Sequence, residues 1–393
     1  MAMCVPTGLI CDFIGRKKTL VLLFVPFTTG WFLIIFANSV IMLYLGRFIT
    51  GLASGSCCIV APLYTSEIAH KSMRGSLGTY FQLMVTIGIF LTYLFGKYLN
   101  AIHFTIVCAC IPAVFVLIFA FQPESPTYLI KKGRFDDAKV ALTRLRGKSY
   151  NVDLELNHIE GFLKELSHST GSFSQTMKQK AVVKAFIIAV ALMFYQQFSG
   201  INPIILYTTE IFKSSGVNLD PQSAAIIIGA FQVVATFISS LLIDRSGRKV
   251  LLITSSFLVT LTTFLLGLYF TFKTRMHIDH NVMEQLGILP VAALCIYIIA
   301  YSVGLGPIPW IISNEIFPLE IKSIASSTAA TFNWLSAFVL LKFYLQLTEL
   351  VGSDSTFYMF SGISFTGILF VYFVIPETKG KTISEVKEAL ENY

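Results

Sequence analysis

Charge is what this sequence is short of: Asp, Glu, Lys and Arg make up 13% of the 393 residues against 55% hydrophobic, and mean hydropathy is +0.72. A soluble domain usually carries roughly 25% charged residues, and a water-facing fold of this length has too little interior for so much apolar surface. An ordinary soluble enzyme is thereby excluded. The six histidines do not help: the seven cysteines, Cys4, Cys11, Cys57, Cys58, Cys108, Cys110 and Cys295, have no C-x-x-C pair and no metal-type His companion. They lie in or beside apolar segments and read as small core residues. A phosphate-binding glycine loop and a nucleophile elbow are also missing, so nothing supports an enzyme, a metal centre or a cofactor. No N-x-S/T sequon marks a glycosylated loop. The start, MAMCVPTGLICDFIGRKK, places its basic cluster after a short apolar stretch, the reverse of a secretory signal, and that stretch is too short to span a bilayer.

What the chain has in quantity is long apolar runs. A transmembrane helix needs about 20 such residues, and ten stretches qualify: 19–37, 40–64, 76–96, 102–121, 181–212, 222–243, 250–272, 288–312, 323–346 and 355–375. When alternate gaps are assigned to opposite sides, 22 of the 29 Lys and Arg residues fall on the side of Arg16 and of segment 122–180. The other side receives Lys97, Lys213, Lys273 and Arg275, and Arg47, Lys184 and Lys342 lie within or at the edge of spans. The positive-inside rule makes the basic side cytoplasmic, with the C-terminus on it. The net charge of +7 then reflects membrane orientation and not a nucleic-acid partner. Within 122–180, Val152, Leu156, Ile159, Leu163 and Leu166 recur at helical spacing and predict amphipathic helices beneath the membrane domain.

The sequence repeats itself. Asp12-x-x-Gly15-Arg16-Lys17 returns at Asp244-Arg245-x-Gly247-Arg248-Lys249. Glu67, with a base at Arg74, returns as Glu315 with Lys322, and Pro123-Glu124-Ser125 returns as Pro376-Glu377-Thr378. Three ordered pairs at near-equal offsets indicate a tandem duplication of a helical half. Between Ala181, where the second half begins, and Asp244 lie two full spans, whereas only a stub shorter than one span precedes Asp12. The fold class read from this is all-α and polytopic: two six-helix halves lacking the first span and most of the second. The divisions are 1–121 for the incomplete first half, 122–180 for a cytoplasmic linker, 181–375 for the second half and 376–393 for a cytoplasmic tail.

Acids and bases at matched helix ends suit a cytoplasmic gate in which ion pairs between halves hold one orientation closed. The gate candidates are Asp12, Arg16, Lys17, Arg47, Glu67, Arg74, Glu124, Asp244, Arg245, Arg248, Glu315, Lys322 and Glu377. Arg47 also opens the run Arg47-x-x-x-Gly51-x-x-x-Gly55, whose small residues allow close helix approach. Inside the spans the polar groups are amides: Gln82, Gln196, Gln197, Asn202, Gln232 and Asn333. A carboxamide both donates and accepts and costs less to desolvate than a carboxylate, which suits an uncharged ligand rich in hydroxyls. Trp310 and Trp334 offer flat faces for the C–H side of a sugar ring. Gly304, Gly306, Pro307 and Pro309 interrupt one span and Gly200 and Pro203 another, which predicts broken helices near a substrate site.

These residues resemble the sugar porter family of the major facilitator superfamily. The likeness rests on the D-x-x-G-R-K pair, Gly46-Arg47-Phe48, Pro62-x-Tyr64-x-x-Glu67, Pro123-Glu124-Ser125-Pro126, Gln196-Gln197-x-Ser199-Gly200-Ile201-Asn202, Gly306-Pro307-Ile308-Pro309-Trp310, Asn333-Trp334 and Pro376-Glu377-Thr378-Lys379-Gly380. Within the family, Gln232 and Lys342 are similar to insect facilitated trehalose transporters. The resemblance implies the major facilitator fold and a plasma-membrane carrier of trehalose or hexose working by alternating access. It also implies facilitated uniport, a monomer in lipid, and no cofactor. The amides with Trp310 would contact the sugar, and the acids and bases would form the inward gate. Departures from the family pattern are His70, Thr127, Lys322 and Ala337; Lys322 lacks the bidentate fork of an arginine. A non-transporting sugar sensor and an inactive truncated product stay open as alternatives.

Overall fold

A backbone in lipid must satisfy its amides internally, and apolar runs of this length do so as helices. The computed structural model describes residues 3–379 apart from 71–73, 148, 169–178, 210, 212–219, 276–285, 287 and 318–320, together with 381, 385, 388 and 389. Among the described residues there are seventeen helices and no strand. They are α1 (Cys4–Ile14), α2 (Arg16–Leu22), α3 (Phe24–Ile35), α4 (Val40–Ile68), α5 (Arg74–Tyr98), α6 (Ala101–Phe119), α7 (Pro126–Lys131), α8 (Phe135–Arg146) and α9 (Val152–His168). The rest are α10 (Lys180–Phe198), α11 (Ile201–Leu206), α12 (Pro221–Ser246), α13 (Arg248–Thr274), α14 (Ile288–Val303), α15 (Ile308–Glu315), α16 (Lys322–Val351) and α17 (Ser353–Val374). Ten candidate membrane spans match the ten apolar runs, from Arg16–Ile35 to Ser353–Val374. The span of α16 extends furthest past its expected end, to Val351, because a helix stops where its capping chemistry allows and not where hydropathy falls.

Two compact units emerge from the contacts. The first comprises Met1–Gly78, Tyr98–Gln179 and Pro318–Thr331, and the second Thr79–Lys97, Lys180–Phe317 and Phe332–Tyr393. In the first, α3 packs on α4 and α6, and α1 lies on α4 with Thr7 Oγ1 donating to Ser56 Oγ at 2.8 Å. The α3–α4 contact is made at Gly30 and Gly46: a methyl on Gly30 would sit 2.6 Å from Thr50 Cγ2, and one on Gly46 would sit 2.9 Å from the Gly30 carbonyl. Gly51 instead faces open space. Of the Arg47–Gly51–Gly55 run, Gly51 therefore makes no close approach while Gly55 is buried, and the α3 contact is made one residue before the run, at Gly46.

Also in the first unit, α7 to α9 form a small bundle around Tyr128, Leu129, Ile130, Ala138 and Ala141, against which Leu156 and Ile159 pack. The side chains of Leu163 and Leu166 lie outside the described residues. Arg146 links the bundle to the end of α4, donating to the Ile68 carbonyl at 2.9 Å and forking onto Glu155 at 3.1 and 2.9 Å. In the second unit α13 packs against α14 and α17, while α10 touches α15 and α17.

Candidate functional site

The repeated motif builds the same device twice. In the first unit Gly15 takes φ +105° and starts α2 with its N–H groups uncovered; a Cβ there would lie 2.5 Å from Glu124 Oε2. Into that gap Glu124 places Oε1, accepting from the backbone N–H of Arg16 at 3.1 Å, of Lys17 at 2.9 Å and of Ser125 at 2.9 Å. A carboxylate at a helix N-terminus satisfies orphan donors and complements the helix dipole. Arg16, 5% exposed, turns inward and forks onto Glu67, with Nε at 2.9 Å from Oε2 and Nη2 at 2.9 Å from Oε1. Its Nη1 reaches the Cys11 carbonyl at 3.1 Å and Asp12 at 3.0 Å. Ser125 donates its hydroxyl to Glu67, and Tyr128 lies under the guanidinium at 5.3 Å.

The second unit repeats the wiring atom for atom in most respects. Gly247 takes φ +86°, and Glu377 accepts from the backbone N–H of Arg248, Lys249, Thr378 and Lys379, each at 3.0 Å. Arg248 donates to Glu315 at 3.2 Å and to the Ile243 carbonyl at 3.3 Å, and Thr378 Oγ1 donates to the second oxygen of Glu315 at 2.5 Å. Burial pushes the Glu377 carboxyl up, but these backbone donors outweigh it and hold the group below its ordinary range. The described partners of Arg16 and Arg248 thus belong to their own units, where the sequence suggested pairs between halves.

Other gate candidates fall elsewhere. Lys17 Nζ caps the Ala120 carbonyl at 2.7 Å, and the exposed Arg245 contributes its carbonyl to Lys379 Nζ at 2.7 Å. Arg47 is exposed on α4, near the start of the helix that ends at Glu67 and Ile68. At about 1.5 Å of rise per residue the Arg47 and Glu67 side chains are roughly 30 Å apart along the axis, so Arg47 sits toward the opposite end of the span from the Glu67 cluster with which it was grouped. The side chains of Arg74, Asp244 and Lys322 lie outside the described residues.

The second unit also contains two broken helices. Gly200 separates α10 from α11, and a turn over Gly304, Leu305, Gly306 and Pro307 separates α14 from α15. A proline removes the N–H that would serve the carbonyl four residues before it. Pro203 therefore orphans Ser199 O, Pro307 orphans Val303 O, and Pro309 orphans Leu305 O. Each of these carbonyls finds a side chain. Tyr297 Oη donates to Ser199 O at 3.1 Å, Ser239 Oγ to Val303 O at 2.8 Å, and Gln196 Nε2 to Leu305 O at 2.8 Å and Gly306 O at 2.7 Å. Ser255 supports the same turn, donating to Ala300 O at 2.7 Å and accepting from the Leu305 N–H at 3.0 Å.

From Gln196 the bonds continue as a chain of carboxamides. Asn333 Nδ2 donates to Gln196 Oε1 at 2.7 Å, Gln197 Nε2 donates to Asn333 Oδ1 at 2.8 Å, and Asn202 Nδ2 donates to Gln197 Oε1. Gln196, Gln197 and Asn333 are buried and Asn202 is partly open. Gln232, 1% exposed on α12, has an Oε1 with no hydrogen-bond partner among the described residues. Gln82 is half-buried on α5, Trp310 half-buried on α15, and Trp334 turns outward on α16 at 39% exposure while its neighbour Asn333 turns in. Sequence reasoning missed Tyr297, Ser239 and Ser255. The prolines signalled that some donors were needed; nothing in the sequence said which. Among the described residues no cluster of three His, Cys, Asp or Glu side chains is placed to hold a metal.

Comparison with known proteins places this architecture. A facilitated trehalose transporter Tret1 of Bombyx mori is 38% identical over 98% of this chain and 75% of its own length. That of Aedes aegypti is 36% identical over 98% of this chain and 47% of its own, so the chain spans about half of that longer relative. Among solved structures, the proton:xylose symporter XylE bound to 6-bromo-6-deoxy-D-glucose superposes with a TM-score of 0.79 at 23% identity, over 99% of this chain and 87% of that one. The inward-open xylose transporter XylE from E. coli gives 0.75 at 22% identity, over 98% and 86%. These likenesses establish the major facilitator fold. The model of the family described as Sugar (and other) transporter matches residues 1–390, so the chain is a multi-pass membrane protein that belongs to the sugar transporter family.

Proposed function

We propose that this chain carries a neutral sugar, trehalose first, across the plasma membrane by alternating access as a facilitated uniporter. The observation that carries this reading is the chain of four carboxamides, Asn202, Gln197, Asn333 and Gln196, three of them buried and the first partly open, set within membrane spans and built against two helix breaks. The amides bond to one another, so a sugar hydroxyl exchanges for bonds of the same kind and strength, donating where an amide donated and accepting where one accepted. The Oε1 of Gln232 adds an acceptor that has no other partner among the described residues. Gln82 and Trp310 complete the contact set, and Trp334 is its outermost member. A charged ligand has no counter-ion among these residues, and desolvating one would be costly. The breaks let the chain on either side of the amides move without unwinding a continuous helix, which is how carriers of this kind gate a central site.

The two ionic clusters act as rigid corners, each binding the start of one span to the end of another within its own unit. The basic side, with the C-terminus, is cytoplasmic, and the protein works as a monomer in lipid. The relatives named as facilitated trehalose transporters support trehalose as the substrate and uniport as the mode.

The test is uptake of labelled trehalose and glucose, with glucuronate as a charged comparator, by cells expressing the chain. Saturable uptake of a neutral sugar that persists after the proton gradient is dissipated is the expected result. Absence of uptake of both neutral sugars would overturn the carrier reading in favour of a sensor or an inactive product, and collapse with the gradient would replace uniport by symport.

A further inference from the structure

The two helix breaks are wired to each other. Gln196, at the end of α10 just before the first break, donates to Leu305 O and Gly306 O in the second. Tyr297, on α14 about two turns before the second break, donates to Ser199 O in the first and lies 3.3 Å from the Ser199 hydroxyl. Each broken helix thus supplies the donor that the other lost to proline, Pro309 in one case and Pro203 in the other. Tyr297 is 0% exposed, so bulk solvent does not reach its hydroxyl. If one break rearranges alone, it withdraws a donor from the other and leaves a buried carbonyl unsatisfied.

We propose that Tyr297 and Gln196 form a reciprocal tie that makes the two breaks rearrange as one unit, and that Tyr297 is a positioning residue for the turnover of the carrier. Tyr297 stands outside the amide chain, so its part in sugar binding is indirect. Gln196 stands in both the tie and the amide chain, so occupancy of the sugar site is felt at both breaks. The inference rests on the carrier reading for its consequence and on geometry alone for the tie.

The experiment uses Tyr297→Phe, which removes one oxygen atom, and reads hydrogen–deuterium exchange of the purified chain in detergent alongside sugar uptake in cells. The tie predicts exchange about tenfold faster both at 195–206, where the hydroxyl acts, and at 303–311, where it does not, with α13 unchanged; tenfold is what one orphaned buried carbonyl is worth. In uptake, the maximal rate falls about tenfold and KM stays within about twofold, since the amide chain is intact. Faster exchange at 195–206 alone, or at neither segment, overturns the tie, and a raised KM at unchanged maximal rate overturns the positioning role. If Tyr297→Phe does not fold, Ser239→Ala removes the donor to Val303 O in the second break and the readout moves to 195–206: faster exchange there supports the tie and wild-type exchange overturns it. A wild-type chain that transports nothing would defeat the carrier reading, while the exchange comparison would still decide whether the breaks are tied.

Discussion

Gln196→Leu removes three hydrogen bonds at one buried point: those to Leu305 O and Gly306 O at 2.8 and 2.7 Å and that from Asn333 at 2.7 Å. The leucine is of similar volume, so the loss is polar and not steric. An intramolecular bond of this kind contributes about 1 kcal/mol net, and a buried group left without a partner costs about 1–3 kcal/mol. Leu305 O has no backbone donor, because residue 309 is proline, whereas Asn333 keeps its bond to Gln197. The expected destabilisation is about 3 kcal/mol. A second change tests the cause: Pro309→Ala restores a backbone N–H four residues after Leu305, where Ile308 N already donates to Gly304 O at 3.1 Å in helical register. In the Gln196→Leu background it should return about 1 kcal/mol, whereas in the wild type it gains clearly less, since Leu305 O already has one donor and a second bond to the same oxygen satisfies no orphaned group. Unfolding of the four variants in detergent, followed by tryptophan fluorescence, closes the cycle. A Gln196→Leu protein as stable as wild type, or a Pro309→Ala effect equal in both backgrounds, would refute the assignment of Gln196 as the substitute donor.

Three further outcomes follow from the same geometry. Gly15→Ala forces a Cβ to 2.5 Å from Glu124 at a φ of +105°, while Gly51→Ala points into open space, so the first should cost about 2 kcal/mol and the second be neutral or stabilising by about 1 kcal/mol in thermal unfolding. Because the folded-state pKa of Glu377 is depressed, its contribution is full above the ordinary carboxylate range and is lost as pH falls through the lowered value; the fall in melting temperature on acidification should be smaller for Glu377→Gln than for wild type. Gly46→Leu drives side-chain atoms into the Gly30 carbonyl and should lower the melting temperature or abolish folding, whereas the same change at Gly51 should not.

Hydropathy and charge made the spans legible, since about twenty apolar residues between basic gaps leave few alternatives to a membrane helix. The duplication was legible too, and its offsets locate the matching atoms well: Cys11 O and Ile243 O, separated along the chain by the same interval as Arg16 and Arg248, accept from the two guanidinium groups. What the sequence could not supply was long-range identity. Pro203, Pro307 and Pro309 announce orphaned carbonyls, but that Tyr297, Ser239 and Gln196 answer them depends on packing between segments far apart in the chain. The same limit explains Arg47, whose motif neighbours suggested a gate although the span direction carries it away, and Trp334, whose place beside Asn333 in sequence puts it on another helical face. It also explains the clusters: charge pairing was evident from the repeats, but not that each arginine finds its described partners within its own unit.

Whether a neutral sugar binds at the carboxamide chain can be decided by counterflow of labelled trehalose into proteoliposomes holding the purified chain or its Asn333→Leu variant. Asn333 links Gln196 to Gln197, so its loss divides the chain while the donors to Ser199 O, Val303 O and Leu305 O stay in place. If the sugar binds there, the wild type shows saturable trehalose counterflow and the folded variant at least about a tenfold rise in KM. Counterflow by the variant with an unchanged KM would contradict that binding.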